Sequence, residues 1–234
     1  MAEPLQCLHF TGQEVAAHYE EIVPAYQNAF AGDPWFEVTK CVGNNASDMC
    51  IEGLSRLQLD KYCTPCGRYT KEPAYTQEEL VEKFNNLSTQ RETEWYLERL
   101  NGRLAMAILA SKTDTRTFAT KFLESDGDRF QEWAKDTFGT VPFGWIHEVF
   151  ADSSVKSRGN LVNFVEATTT IARRLGVLRI AYSTINPRMV HAGQRFGEQA
   201  KIYTGNITAS NRRTFVVIDF NEDQTSDKII TASL

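Results

Sequence analysis

The sequence predicts an α/β fold built on a mixed sheet, and two patterns carry that expectation. Residues 144–182 read as strand, polar loop, helix and strand. The first strand covers 144–151, the helix places Leu161, Phe164, Val165, Thr168, Ile171, Ala172 and Leu175 at helical spacing, and the second strand covers 177–182. Strands joined through a helix run parallel. Residues 95–100 and 104–110 are two strand candidates joined by Asn101-Gly102. That dipeptide supplies the positive φ of a type I′ turn, so this second pair is antiparallel.

The remaining elements follow in chain order. Residues 5–10 read as a first strand. Thr11-Gly12-Gln13-Glu14 is a capping box. It opens a helix with Val15, Tyr19, Ile22, Tyr26 and Ala29 on one apolar face, and Pro24 is expected to kink or divide that helix. Residues 34–75 are less regular and form a cysteine-containing insertion. Thr76-Gln77-Glu78-Glu79 is a second capping box, followed by Leu80, Val81, Phe84 and Leu87. Residues 111–140 form a second insertion with helix, carrying Phe118, Phe122, Phe130, Trp133 and Phe138. These aromatics read as core packing, or as an apolar pocket for an acceptor. Gly176 is a helix stop. Strands over 201–203 and 213–220 complete a single domain spanning residues 1–220, and residues 221–234 form a polar tail.

Composition narrows the classes of function. A chain of 234 residues with 42% hydrophobic content can bury a sizeable core. A net charge of −5 argues against nucleic acid as a partner, because phosphate binding favours a basic surface. The longest apolar run, residues 104–110, is far short of a bilayer span, so no membrane partner is expected. The first residues carry no basic-then-apolar signal pattern, and the five cysteines are an odd number. Together these favour a reducing, cytoplasmic location.

Cys41, Cys50, Cys63 and Cys66 fall within 26 residues, and Cys63-Thr64-Pro65-Cys66-Gly67 has the spacing of half a zinc knuckle. Four thiolates can hold zinc tetrahedrally. The alternative reading is free thiols in a loop-rich insertion. Cys7, in the first strand, reads as a core residue.

The most informative segment is Phe150-Ala151-Asp152-Ser153-Ser154-Val155-Lys156-Ser157-Arg158-Gly159-Asn160-Leu161. A strand ends here, a polar loop turns, and a helix begins. Free backbone amides at such a helix start make an anion site. Asn186-Pro187 follows the next strand, and Arg195-Phe196-Gly197 follows the next helix. This wording resembles the acyl-CoA loop and closing motif of the GNAT superfamily of N-acetyltransferases. Lys156 stands at the Gln/Arg position of that loop and Gly159 at its first glycine. Leu161 replaces the second glycine or alanine, Ser153 the proline, and Glu198 the closing phenylalanine.

The resemblance implies a largely antiparallel sheet with helices on both faces and strands splayed at residues 144–151. It implies acetyl-CoA as co-substrate, bound by Phe150, Ala151, Lys156, Ser157, Arg158, Gly159, Asn160, Leu161 and Asn186. It also implies a carboxylate base on the strand before the loop. Glu148 is the first candidate and His147 the second. Strict alternation would put them on opposite faces, so that only one meets the site. The family's frequent tyrosine acid falls at Gly193, so that role is either absent or filled by another residue, with Tyr182 and Tyr203 as the candidates.

The expected function is CoA-dependent N-acyl transfer, most simply of acetyl, by direct attack of an amine. The acceptor would be a small-molecule amine, a peptide N-terminus or a lysine, and the chain could pair as a homodimer. Two alternatives stand beside it. One is a non-catalytic protein of this fold that binds acyl-CoA or a partner. The other is an N-acyl amino acid synthase taking longer acyl chains.

Overall fold

The computed structural model describes residues 5–31, 39–40, 62–63, 68–69, 72–73, 75–90, 92–151, 160–184, 186–204 and 214–225, with the backbone alone at 39–40, 62–63, 68–69, 72–73, 121–129, 160–162 and 224–225. The strands are β1 (Gln6–Thr11), β2 (Thr39–Lys40), β3 (Tyr62–Cys63), β4 (Arg68–Tyr69), β5 (Glu72–Pro73), β6 (Thr93–Leu100), β7 (Arg103–Thr113), β8 (Phe143–Ala151), β9 (Arg179–Thr184), β10 (Ala200–Tyr203) and β11 (Thr214–Asp219). The helices are α1 (Tyr19–Ala31), α2 (Gln77–Ser88), α3 (Thr115–Phe138), α4 (Asn160–Leu175), α5 (Pro187–Gln194) and α6 (Glu222–Thr225).

Seven strands form the main sheet in the order β1-β6-β7-β8-β9-β11-β10. The β8–β9 pair is parallel and every other neighbouring pair is antiparallel. Helices cover both faces, as the sequence led us to expect. Tyr96, Ile108, Ile146, Ile180 and Val216 face α4 and α5. On the opposite face Trp95, Leu97, Leu109 and Phe150 pack under α1 and α2. Further along that same face, Phe143, Trp145, Phe215 and Val217 pack under α3. Each such fully buried side chain stabilises the fold by about 1.5–3 kcal/mol relative to exposure.

Local sequence explains the elements. Asn101 (φ 52°) and Gly102 (φ 72°) both sit in the left-handed region, as a type I′ hairpin demands. The Thr76 capping box is complete: Glu79 N donates to Thr76 Oγ1 (3.2 Å) and Thr76 N to Glu79 Oε2 (2.9 Å). Asp114 caps α3 by accepting from Thr117 N at 2.8 Å.

Two expectations are corrected, and one pair of alternatives is decided. The first helix divides ahead of Pro24 rather than at it. A 3₁₀ stretch, Gly12–His18, passes into α1 at Tyr19, and Pro24 lies inside α1. There the proline has no N–H to offer the carbonyl one turn back. Cys7 is exposed instead of buried, because β1 is an edge strand of the sheet. In the second insertion, Phe118, Phe130 and Phe138 are buried against Phe143 and Phe215, which settles their role as core. The side chain of Phe122 lies outside the described residues.

Candidate functional site

The site is built where β8 and β9 separate. They pair only at Gly144↔Ile180 and Trp145↔Ala181. Close approach there depends on glycine: a Cβ on Gly144 would lie 2.8 Å from Ile180 Cγ1 and 3.4 Å from Leu175 Cδ1. Immediately beyond, the ladder between β7 and β8 slips. Leu109 pairs with Glu148 and Ala110 with Ile146, leaving His147 as an extra residue. A bulge of this kind bends its strand and increases its twist, which carries β8 away from β9.

The bulge also overturns the alternation argument. Directly paired residues share a face, so Glu148 follows Leu109 onto the α1–α2 face. Ser111 pairs with Trp145 and therefore lies on that face too. His147 Nε2 is 2.7 Å from Ser111 Oγ. His147 and Glu148 thus project to the same side of the sheet, between the helices over its first half and α3 over its second.

Glu148 is held by two helices. Lys83 of α2 brings Nζ to 2.6 Å from Glu148 Oε1. Tyr26 of α1 donates from Oη to Glu148 Oε2 at 3.2 Å and accepts from Lys83 Nζ at 2.9 Å. The Lys83 ammonium also lies 4.9 Å from the Tyr26 ring centroid and 5.9 Å from that of Tyr75. Phe30 stacks on Tyr26 at 4.3 Å and Phe150 meets it edge-on at 5.2 Å. The Glu148 side chain retains 16% of its exposure and that of Lys83 34%. The carboxylate is therefore positioned, partly desolvated and still reachable. Neither Lys83 nor Tyr26 could be assigned to a site from sequence. They lie far from Glu148 along the chain, and Tyr26 reads there as one more apolar-face residue.

The expected cofactor residues fall into two groups. Lys156, Ser157, Arg158 and Gly159 lie outside the described residues, as do the side chains of Asn160 and Leu161. Phe150 is buried in the α1–α2 core, so only its backbone can meet a ligand. Ala151 packs on the α4 face at the end of β8. Asn186 caps α5, its side chain accepting from Arg188 N at 2.9 Å. Because β8 and β9 are parallel, the starts of α4 and α5 lie at the same end of the sheet, beside the opening between the strands. Helix N-termini at the C-terminal ends of parallel strands suit phosphate.

The tyrosine position is occupied by structure instead. A Cβ on Gly193 would lie 2.6 Å from Val216 Cγ1 and 2.7 Å from Tyr182 Oη. Tyr182 is 3% exposed and donates to Met189 O at 2.7 Å. Burial pushes its hydroxyl well above the usual phenol range. It is a core residue and not an acid in waiting. Tyr203 is half-buried at the far side of the sheet, edge-on to Trp133 at 5.5 Å.

A second polar cluster lies under α4. Glu98 is fully buried, with Oε1 accepting from Asn163 Nδ2 at 2.8 Å and Oε2 unpartnered. Burial, and secondarily the charge of Glu166, raise its carboxyl above the ordinary range, while the Asn163 bond opposes them. No sequence pattern marked it.

The zinc reading cannot be placed. Cys41, Cys50 and Cys66 lie outside the described residues, and Cys63 is described only by its backbone, paired with Arg68. Among the described residues, no group of three or more His, Cys, Asp or Glu could hold a metal ion. Nor, among them, is any helix long and apolar enough to cross a membrane.

No family model matches the sequence, and no curated protein matches it. Solved structures do match. An agmatine N-acetyltransferase mutant in its apo form superposes with a TM-score of 0.53 at 14% identity, over 93% of this chain and 100% of that one. The Drosophila melanogaster polyamine N-acetyltransferase, which catalyses formation of N-acetylagmatine, gives the same TM-score, identity and coverage. A GNAT superfamily phosphinothricin acetyltransferase from Sinorhizobium meliloti, in complex with acetyl-CoA, gives 0.50 at 11% identity, over 95% and 90% of the two chains. The chain has the GNAT fold.

Proposed function

We propose that this chain transfers an acetyl group from acetyl-CoA to the amine of a small molecule by direct attack. One observation carries the reading: β8 and β9 part just beyond Trp145, and the Glu148 carboxylate stands on β8 past that point. A thioester seated in the opening would lie beside a base, and the pyrophosphate would reach the first turn of α4. An incoming ammonium would give its proton to Glu148. The free amine would then attack the carbonyl, and CoA would leave as the thiol. His147, on the same face and bonded to Ser111, is the second proton acceptor. The acetyltransferases of the same fold support an amine as acceptor.

Thermal shift against a panel of acyl-CoAs tests the reading. Ligand at 100 times its dissociation constant stabilises the native state by about 2.7 kcal/mol. Acetyl-CoA is expected to raise the melting temperature, and a larger shift with long-chain acyl-CoAs would move the assignment to an acyl amino acid synthase. The existing Lys83–Glu148 pair and the glycine at 193 favour a second reading, a non-catalytic acyl-CoA binder. Binding without release of thiol to any amine would establish that alternative.

A further inference from the structure

We infer that Lys83 is itself an acetylation site, modified by its own chain from acetyl-CoA with Glu148 as base. This rests on the proposed function above. An amine about to be deprotonated must lie about 2.6–3.2 Å from its base. Lys83 Nζ already stands at 2.6 Å from Glu148 Oε1. It occupies the position that the acceptor nitrogen of the reaction would need.

The surroundings hold it there. Leu80 and Phe84, on either side of Lys83 in α2, are fully buried, and the Thr76 capping box fixes the start of that helix. The Tyr26 and Tyr75 rings flank the ammonium, and Tyr26 Oη accepts one of its protons. A nucleophile pre-positioned in this way reacts as an intramolecular partner, which removes the entropy cost of collecting it from solution.

The step balances. The Lys83 ammonium gives one proton to Glu148, and its nitrogen forms a bond to the thioester carbonyl carbon. The carbon–sulfur bond breaks, CoA departs as thiolate and takes the second nitrogen proton, and the proton on Glu148 passes to solvent. The products are N-acetyl-lysine, CoA and one proton. The amide carries no charge, so Glu148 is released from its ion pair and left with the Tyr26 hydroxyl, ready for an external amine.

The test incubates the full chain with acetyl-CoA and follows each lysine by peptide mass spectrometry. Lys201, which is 57% exposed and paired with Asp219, reports uncatalysed acetylation. Lys83 is expected to be modified at least about 100-fold faster than Lys201, in line with general-base assistance, and at a fractional rate independent of protein concentration. Glu148→Gln is expected to bring Lys83 down to the rate of Lys201, with circular dichroism checking the fold. The comparison of the two lysines in the unaltered chain stands whether or not that variant folds. Equal rates for Lys83 and Lys201, or an undiminished rate in Glu148→Gln, overturn the inference. A chain that binds acetyl-CoA and acetylates an external amine while Lys83 stays unmodified overturns this inference alone. A chain that does not bind acetyl-CoA overturns the proposed function with it.

Discussion

Lys83 on α2 and Glu148 on β8 form an ion pair, Nζ to Oε1 at 2.6 Å, with the Tyr26 hydroxyl bridging both. The pair joins a helix to the strand that parts from its parallel neighbour, at the point of parting. Glu148→Gln keeps the size of the side chain and removes the base. Turnover should fall by about 10²–10⁴-fold and recover as pH rises toward the acceptor's own pKa. Because Lys83 is a third exposed, the stability cost should stay at about 1 kcal/mol or less. Steady-state rates and melting curves of the variant check both numbers, and normal turnover at neutral pH would remove Glu148 from the role.

The bulge can be tested by deleting His147. The remaining ladder would become continuous, Ile146 with Ala110 and Glu148 with Leu109, and Glu148 would keep its face. A straightened β8 should lie closer to β9 and narrow the opening. Acetyl-CoA affinity is expected to weaken about tenfold or more, equivalent to ~1.4 kcal/mol. Calorimetric titration showing unchanged affinity in the folded variant would mean that the bulge does not shape the ligand site.

Phe118→Ala separates core from acceptor pocket. Phe118 is 1% exposed and meets Phe130, Phe138 and Phe143 at ring distances of 5.4 Å. The variant should lose about 3–5 kcal/mol in urea denaturation, as large-to-small changes in a packed core do. A small loss of stability with a large change in KM for the acceptor would return this helix to the substrate side.

Glu98 gives a pH signature. Its folded carboxyl is raised, so the native state holds a proton that the unfolded chain releases at about pH 4.3. The stability that Glu98 contributes is therefore fully present below that value and falls as pH rises toward the folded value. Glu98→Gln carries no titratable proton and can keep the Asn163 contact. Its stability relative to the parent chain should rise across that window and be level below it. Parallel stability curves over the whole range would show that Glu98 is ionised in the native state.

The fold was legible because its signals are local. The Asn101-Gly102 turn, the Thr76 capping box and the helical spacing of residues 161–175 each act within a few residues, and all three appear as expected. The resemblance added what local signals cannot, namely that β8 and β9 separate. Glu148 was reached through that resemblance, but its face was not. Alternation fails wherever a bulge inserts a residue, and the slip opposite Leu109 and Ala110 has no signature in the β8 sequence. Lys83, Tyr26 and the buried Glu98–Asn163 contact depend on tertiary packing between elements remote in sequence, which periodicity cannot report. Gly193 illustrates the reverse case. The missing tyrosine was visible in the sequence, and the structure supplies its reason: the backbone of α5 must pass directly over Tyr182 and Val216.

The most direct test of the central claim is release of CoA thiol from acetyl-CoA by the full chain, measured with and without primary amines such as agmatine and spermidine. Thiol release is expected to saturate with acetyl-CoA, to be accelerated by at least one such amine, and to yield the N-acetyl product in equal amount. Thiol release that no amine accelerates, from a chain shown by calorimetry to bind acetyl-CoA, would contradict N-acetyl transfer and leave the fold with binding alone.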